Sequence, residues 1–146
     1  MNAQVRHPHV QRIVERFERL TRADLPRLGS LYTDDASFKD PFNDVQGVAA
    51  IGRVFEHMFD SLDGPRFIVR DAIVEGSRCF LTWDFVFRMK RFNRQQQLIR
   101  GGSHLVLAED GRIRLHRDYW DAAEELYEKL PVLGALMRWL KRRANS

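Results

Sequence analysis

The chain has a single cysteine among 146 residues, so no internal disulfide can form and no cysteine-based zinc cluster can be assembled. Cys79 lies in an apolar run, where a buried, inert thiol and a reducing compartment are expected. Long hydrophobic runs are also missing. Met1 to Gln11 has no apolar core of signal-peptide length, and no stretch approaches the roughly 20 residues that a spanning helix needs. The expected location is therefore the cytoplasm. Charge of one sign is nowhere concentrated except at Arg138 to Arg143. The net charge of +4 comes from scattered arginines and does not specify nucleic acid as a partner. Histidines and carboxylates occur in no recognised metal-ligand spacing, so neither a metal nor a cofactor is expected. What is abundant is apolar and charged residues, at 44% and 30%, enough for one globular domain with a substantial core.

The run Arg112 to Asp121 is the most informative stretch. It follows the turn Glu109-Asp110-Gly111, and strand alternation puts His116, Asp118 and Trp120 on one face and Leu115, Arg117 and Tyr119 on the other. An indole facing water is wasteful, and a buried imidazole and carboxylate without partners cost several kcal/mol, about 2–7 for a polar group left unbonded. A face lining a partly closed small-molecule cavity resolves the conflict.

Upstream, Val10, Ile13, Val14, Phe17 and Leu20 have the spacing of one helical face. A second helix is expected from Asp24 as its cap, with Pro26 in the first turn, Leu25, Leu28, Leu31 and Tyr32 on its buried side, and Thr33-Asp34-Asp35 ending it. Ala36 to Asp40 reads as a short strand stopped by Pro41, followed by a loop from Phe42 to Gln46. Gly47 opens a third helix carrying Val48, Ile51, Val54, Phe55, Met58 and Phe59 on one stripe. Beyond Pro65 the period changes to alternation. Four strands are expected at Arg66–Glu75, Arg78–Lys90, Gln97–Glu109 and Arg112–Asp121, with Trp83, Phe85 and Phe87 facing the core and His104 facing away from Ser103. Three helices covering one face of a curved antiparallel sheet make an α+β plan.

The segment Leu31-Tyr32-Thr33-Asp34-Asp35-Ala36-Ser37-Phe38-Lys39-Asp40-Pro41, together with Asp110-Gly111-Arg112-Ile113, resembles the NTF2-like cone in its ketosteroid-isomerase-like and SnoaL-like branch. The resemblance covers most of the chain up to Trp120. It implies a hydrophobic pocket between helices and sheet, a homodimer, and acid–base chemistry of isomerase, cyclase or hydratase type. Asp40, at the Asp-Pro pair, would correspond to the general base of ketosteroid isomerase, and His116, Asp118 and Trp120 to pocket positions of the final strand. Two features depart from that enzyme. The first helix has Phe17 and no tyrosine, and Ser103 stands where a protonated aspartate would be.

The candidate catalytic residues are thus Asp40, His116 and Asp118, and the candidate pocket residues Ser103, Trp120, Trp83, Phe38, Phe55 and Tyr32. The rival reading is a non-catalytic binding module for a lipid-like or polycyclic ligand. Asp40 has a second role open to it, capping the turn around Pro41 to Asn43.

The domain is expected to span residues 1–121 and a helical extension residues 122–146. In the extension Leu133, Leu136, Met137 and Leu140 form an apolar stripe beside Arg138, Lys141, Arg142 and Arg143, with Trp139 at the boundary. Such a helix docks on protein or lies on an anionic membrane surface.

Overall fold

The computed structural model describes residues 7–90, 94–125, 139–140 and 142–144. Helix α1 (Pro8–Glu18) starts with proline at a position whose N–H has no helical partner, and His7 accepts the Val10 N–H at its N-terminus. Its buried residues, Val10, Ile13, Val14 and Phe17, are the expected stripe.

The second helix is a kinked 3-10 segment, Arg22–Ser30, capped by Thr21 rather than by Asp24. Asp24 sits three residues in and accepts from the Thr21 backbone N–H and hydroxyl, which lowers its carboxyl pKa. Pro26 removes a backbone donor inside the segment, and the chain departs from helical geometry at Arg27. Tyr32 therefore does not belong to a helix. It opens strand β1 (Tyr32–Lys39), which also contains Thr33, Asp34 and Asp35. The β1 register shifts between Tyr32 and Ser37, where Asp34 and Asp35 are exposed.

The loop after Pro41 contains a further strand, β2 (Asp44–Gln46), which pairs back on β1. Gly47, with φ of 97°, makes the sharp entry into α2 (Val48–Ser61), a conformation that disfavours other residues. Strand β3 (Leu62–Glu75) begins earlier than expected and carries Gly64 and Pro65 at a register shift between Asp63 and Arg66, where a proline costs no ladder bond. The meander continues through β4 (Arg78–Met89), β5 (Gln96–Leu107) and β6 (Ile113–Tyr119).

The six strands form one sheet in the order β2-β1-β6-β5-β4-β3. All neighbours are antiparallel except β1 and β6, which run parallel because the whole intervening chain serves as the crossover. Helices and sheet enclose one core. Trp83, Phe85 and Phe87 are buried in it, as alternation implied. Cys79 is buried too, and burial pushes its thiol pKa up to about 11. After β6 a short helix, α3 (Ala122–Glu125), brings the buried Glu125 carboxylate to Arg100 on β5. Most of the amphipathic stretch from Val132 to Arg143 lies outside the described residues. Trp139 and Leu140 are exposed, and the Arg143 guanidinium lies over the Trp139 ring. No described helix is long and apolar enough to cross a membrane.

Candidate active site

Strand pairing assembles the polar centre. In β5 and β6, Ser103 stands opposite Asp118 and Leu105 opposite His116, while parallel pairing sets Phe38 of β1 beside His116. Ser103, Asp118 and His116 face inward.

One hydrogen-bonded chain runs through them. The Trp83 indole N–H donates to Ser103 Oγ at 2.9 Å, and Ser103 Oγ donates to Asp118 Oδ1 at 2.5 Å. His116 Nε2 lies 2.6 Å from the same Asp118 oxygen, and His116 Nδ1 lies 2.6 Å from the Tyr32 hydroxyl.

The proton positions follow from counting donors. Tyr32 is fully buried, and its hydroxyl has no partner among the described residues other than His116. Burial, and secondarily the Asp118 charge, pushes its pKa well above 10.0, so it is a neutral phenol. If it accepted from Nδ1–H, its own O–H would be a buried donor without an acceptor, costing about 1–3 kcal/mol. It therefore donates to Nδ1. The imidazole carries its proton on Nε2 and donates to Asp118. By the same count Ser103, which accepts from Trp83, has its own proton free for Asp118.

Asp118 Oδ1 is thus held by two donors. Asp118 Oδ2 receives no hydrogen bond among the described residues, and the side chain is 12% exposed.

That carboxylate borders an inner cavity of about 20 Å³, lined also by Phe17, Phe55, Phe67, Trp83, Ser103 and His116. That is room for about one water molecule. A larger ligand must displace a ring, and half-buried Phe67, seated against Trp83 and Phe85, is the wall with most room to move.

The expected residues fall into three groups. Ser103, His116, Asp118, Trp83 and Phe55 line the inner cavity. Tyr32 and Phe38 lie behind it, Tyr32 bonded to His116 and Phe38 packed edge-on to the imidazole at 4.6 Å. Asp40 and Trp120 do not line the inner cavity. They border an open outer depression formed by residues 39–41 and 117–121, which Asp118 also touches. Strand β6 ends at Tyr119, so alternation no longer governs Trp120, whose ring packs edge-on to Phe42. Asp40 caps its turn, accepting from the Phe42 and Asn43 backbone N–H groups and the Asn43 side-chain amide.

Phe67 and Val69 were not among the candidates. Their alternation in β3, on the face that meets Phe85 and Trp83, was the available signal.

Residues 10–116 match the SnoaL-like domain family. No curated protein matches the chain. Similar folds occur in several solved structures. A protein of ketosteroid isomerase-like fold from Catenulispora acidiphila, in complex with trimethylamine, is 13% identical, covering 81% of this chain and 88% of its own with a TM-score of 0.69. TsrD from Streptomyces laurentii is 17% identical, covering 90% and 99%, with a TM-score of 0.71. TerC, co-crystallised with polyporic acid, is 16% identical, covering 80% and 92%, with a TM-score of 0.67. At these identities the likeness concerns the fold. The match over most of its length makes this chain a member of the SnoaL-like domain family, built on the NTF2-like, ketosteroid isomerase-like cone.

Proposed function

We propose that the chain is a cofactor-independent acid–base enzyme, of isomerase, cyclase or hydratase type, acting on an apolar small molecule bound in the inner cavity. One observation carries this reading: Asp118, which lines the cavity, is held through Oδ1 by Ser103 and His116, while Oδ2 has no hydrogen-bond partner among the described residues. A carboxylate fixed in this way, in apolar surroundings, is arranged as a general base. His116 and Ser103 hold it in place, and Phe17, Phe55, Phe67 and Trp83 would pack the substrate. Asp40, which the family likeness puts forward as a base, has its carboxylate engaged by the turn. The cavity serves a non-catalytic binding module equally well in shape. TerC and the Catenulispora protein, with their bound small molecules, support that second reading.

A generic carbon acid separates the two. Nitrobenzisoxazole loses a ring proton to a base as its N–O bond breaks, releasing a coloured cyanophenolate. Turnover should be saturable and exceed that of free acetate by about 10²–10⁴-fold, the usual contribution of a positioned base. Asp118→Asn should abolish it. Equal rates for the native chain and Asp118→Asn would leave the binding-module reading.

We also propose a homodimer through the outer sheet face. Ile73, Phe80, His104 and Arg117 form one cross-strand row there, with Ile73 and Tyr119 exposed. We propose separately that the basic C-terminal stretch associates with a membrane surface, on the ground of its apolar stripe and its charge in the sequence.

A further inference from the structure

We infer that the inner cavity is a receptor for a cationic head group, such as a substituted ammonium, carried on an apolar ligand. The inference narrows the ligand class of the proposed site and stands whether that site is catalytic or only binds.

It follows from what the polar network has left over. Four groups around the cavity can donate a hydrogen bond: the Trp83 indole, the Ser103 hydroxyl, His116 Nε2 and, behind it, the Tyr32 hydroxyl. All four are spent within the chain that ends on Asp118. A carbonyl or carboxylate ligand entering this space would find no free donor and would meet a carboxylate oxygen. Stabilising a developing oxyanion requires donors aimed at it, and the network aims them elsewhere.

The charge count points the same way. With the buried phenol donating to Nδ1, the imidazole has one N–H to give, and it goes to Asp118 Oδ1. No lysine or arginine lines the inner cavity among the described residues. Its remaining wall includes the rings of Phe17, Phe55, Phe67 and Trp83. Rings whose π faces attract positive charge, together with one carboxylate, are the ingredients of a cation site. An anion is opposed by both.

Three small molecules of matched shape test this: choline, its neutral carbon isostere dimethylbutanol, and anionic dimethylbutanoate. Binding to the full chain is read from the Trp83 indole N–H and His116 ring signals by NMR. Choline should bind at least about tenfold more tightly than the alcohol, from the summed ring and carboxylate attractions, and the anion should not bind. Asp118→Asn should remove the preference. Phe67→Leu, which keeps the carboxylate and loses one ring, should reduce it, and this variant serves if Asp118→Asn does not fold. Equal affinity for choline and alcohol, a preference that survives both substitutions, or no binding by any of the three would overturn the inference. Benzisoxazole turnover that depends on Asp118 could persist in each of those cases, so the two readings fail separately.

Discussion

Tyr32→Phe removes one oxygen atom and tests the proton assignment on which the site depends. The Tyr32 side chain is fully buried, so phenylalanine fits the same space, and His116 Nδ1 loses its donor at 2.6 Å among the rings of Phe17 and Phe38. Losing a buried hydrogen bond and leaving an acceptor unpaired costs about 1–3 kcal/mol. For a chain of this size that lowers Tm by about 2–12 °C, at roughly 2–4 °C per kcal/mol.

The pH dependence is more specific. Burial raises the folded-state pKa of Tyr32 well above the ordinary 10.0, the Asp118 charge adding to it. Below pH 10 both folded and unfolded states keep the proton, and the stabilisation is fully present. Above pH 10 the unfolded chain loses that proton while the folded chain keeps it, so stability falls as pH rises, by about 1.4 kcal/mol per pH unit until the folded pKa is reached. Phenylalanine has no such loss. Urea unfolding of both proteins at pH 7 and pH 11 should therefore show a clear penalty for Tyr32→Phe at pH 7 that shrinks by about 1 kcal/mol at pH 11. A penalty below about 0.5 kcal/mol at pH 7, within the range of ordinary surface substitutions, or the same penalty at both pH values, would refute the buried phenol-to-imidazole bond.

Gly101→Ala would place a methyl group 2.5 Å from the Trp83 ring, so it should cost about 1–3 kcal/mol in urea unfolding, and displacement of the indole should shift its NMR N–H signal as the Ser103 bond breaks; an unmoved indole signal would contradict this. Asp40→Ala should lose about 1–2 kcal/mol, since two backbone N–H groups of the turn lose their acceptor, with benzisoxazole turnover retained. A loss of turnover as complete as that expected for Asp118→Asn would move the base to Asp40. Sedimentation at micromolar concentration should give a dimer, and Ile73→Glu, at a residue 66% exposed on the outer face, should give a monomer; a monomeric native protein would end the dimer proposal. If the basic tail seeks lipid, full-length protein should co-sediment with anionic vesicles at low salt and less at high salt, and a chain ending at Lys129 should not; equal, negligible binding by both would leave the tail as a protein-docking helix.

The sequence by itself determined the elements whose period is strong. The stripe Val10, Ile13, Val14, Phe17 and the alternation Trp83, Phe85, Phe87 can each be buried in only one way, so helix α1 and the inward face of β4 were legible. The same alternation put His116 and Asp118 on one face, because the residues lie within a strand.

It did not extend to Trp120, where the strand has ended, or to Tyr32, where the apparent helical stripe gave way to a strand after a 3-10 segment kinked beyond Pro26. Which groups meet across the core was a matter for tertiary structure alone. Tyr32 and His116 are 84 residues apart, and their bond exists because β1 lies parallel to β6, a pairing that local propensity does not encode. Ser103 meets Asp118 only through the β5–β6 register, and that register brings the hydroxyl and the imidazole to one carboxylate oxygen. Hydrogen-bond direction depends on distances and on how many partners a buried group can reach, and those are properties of the folded chain.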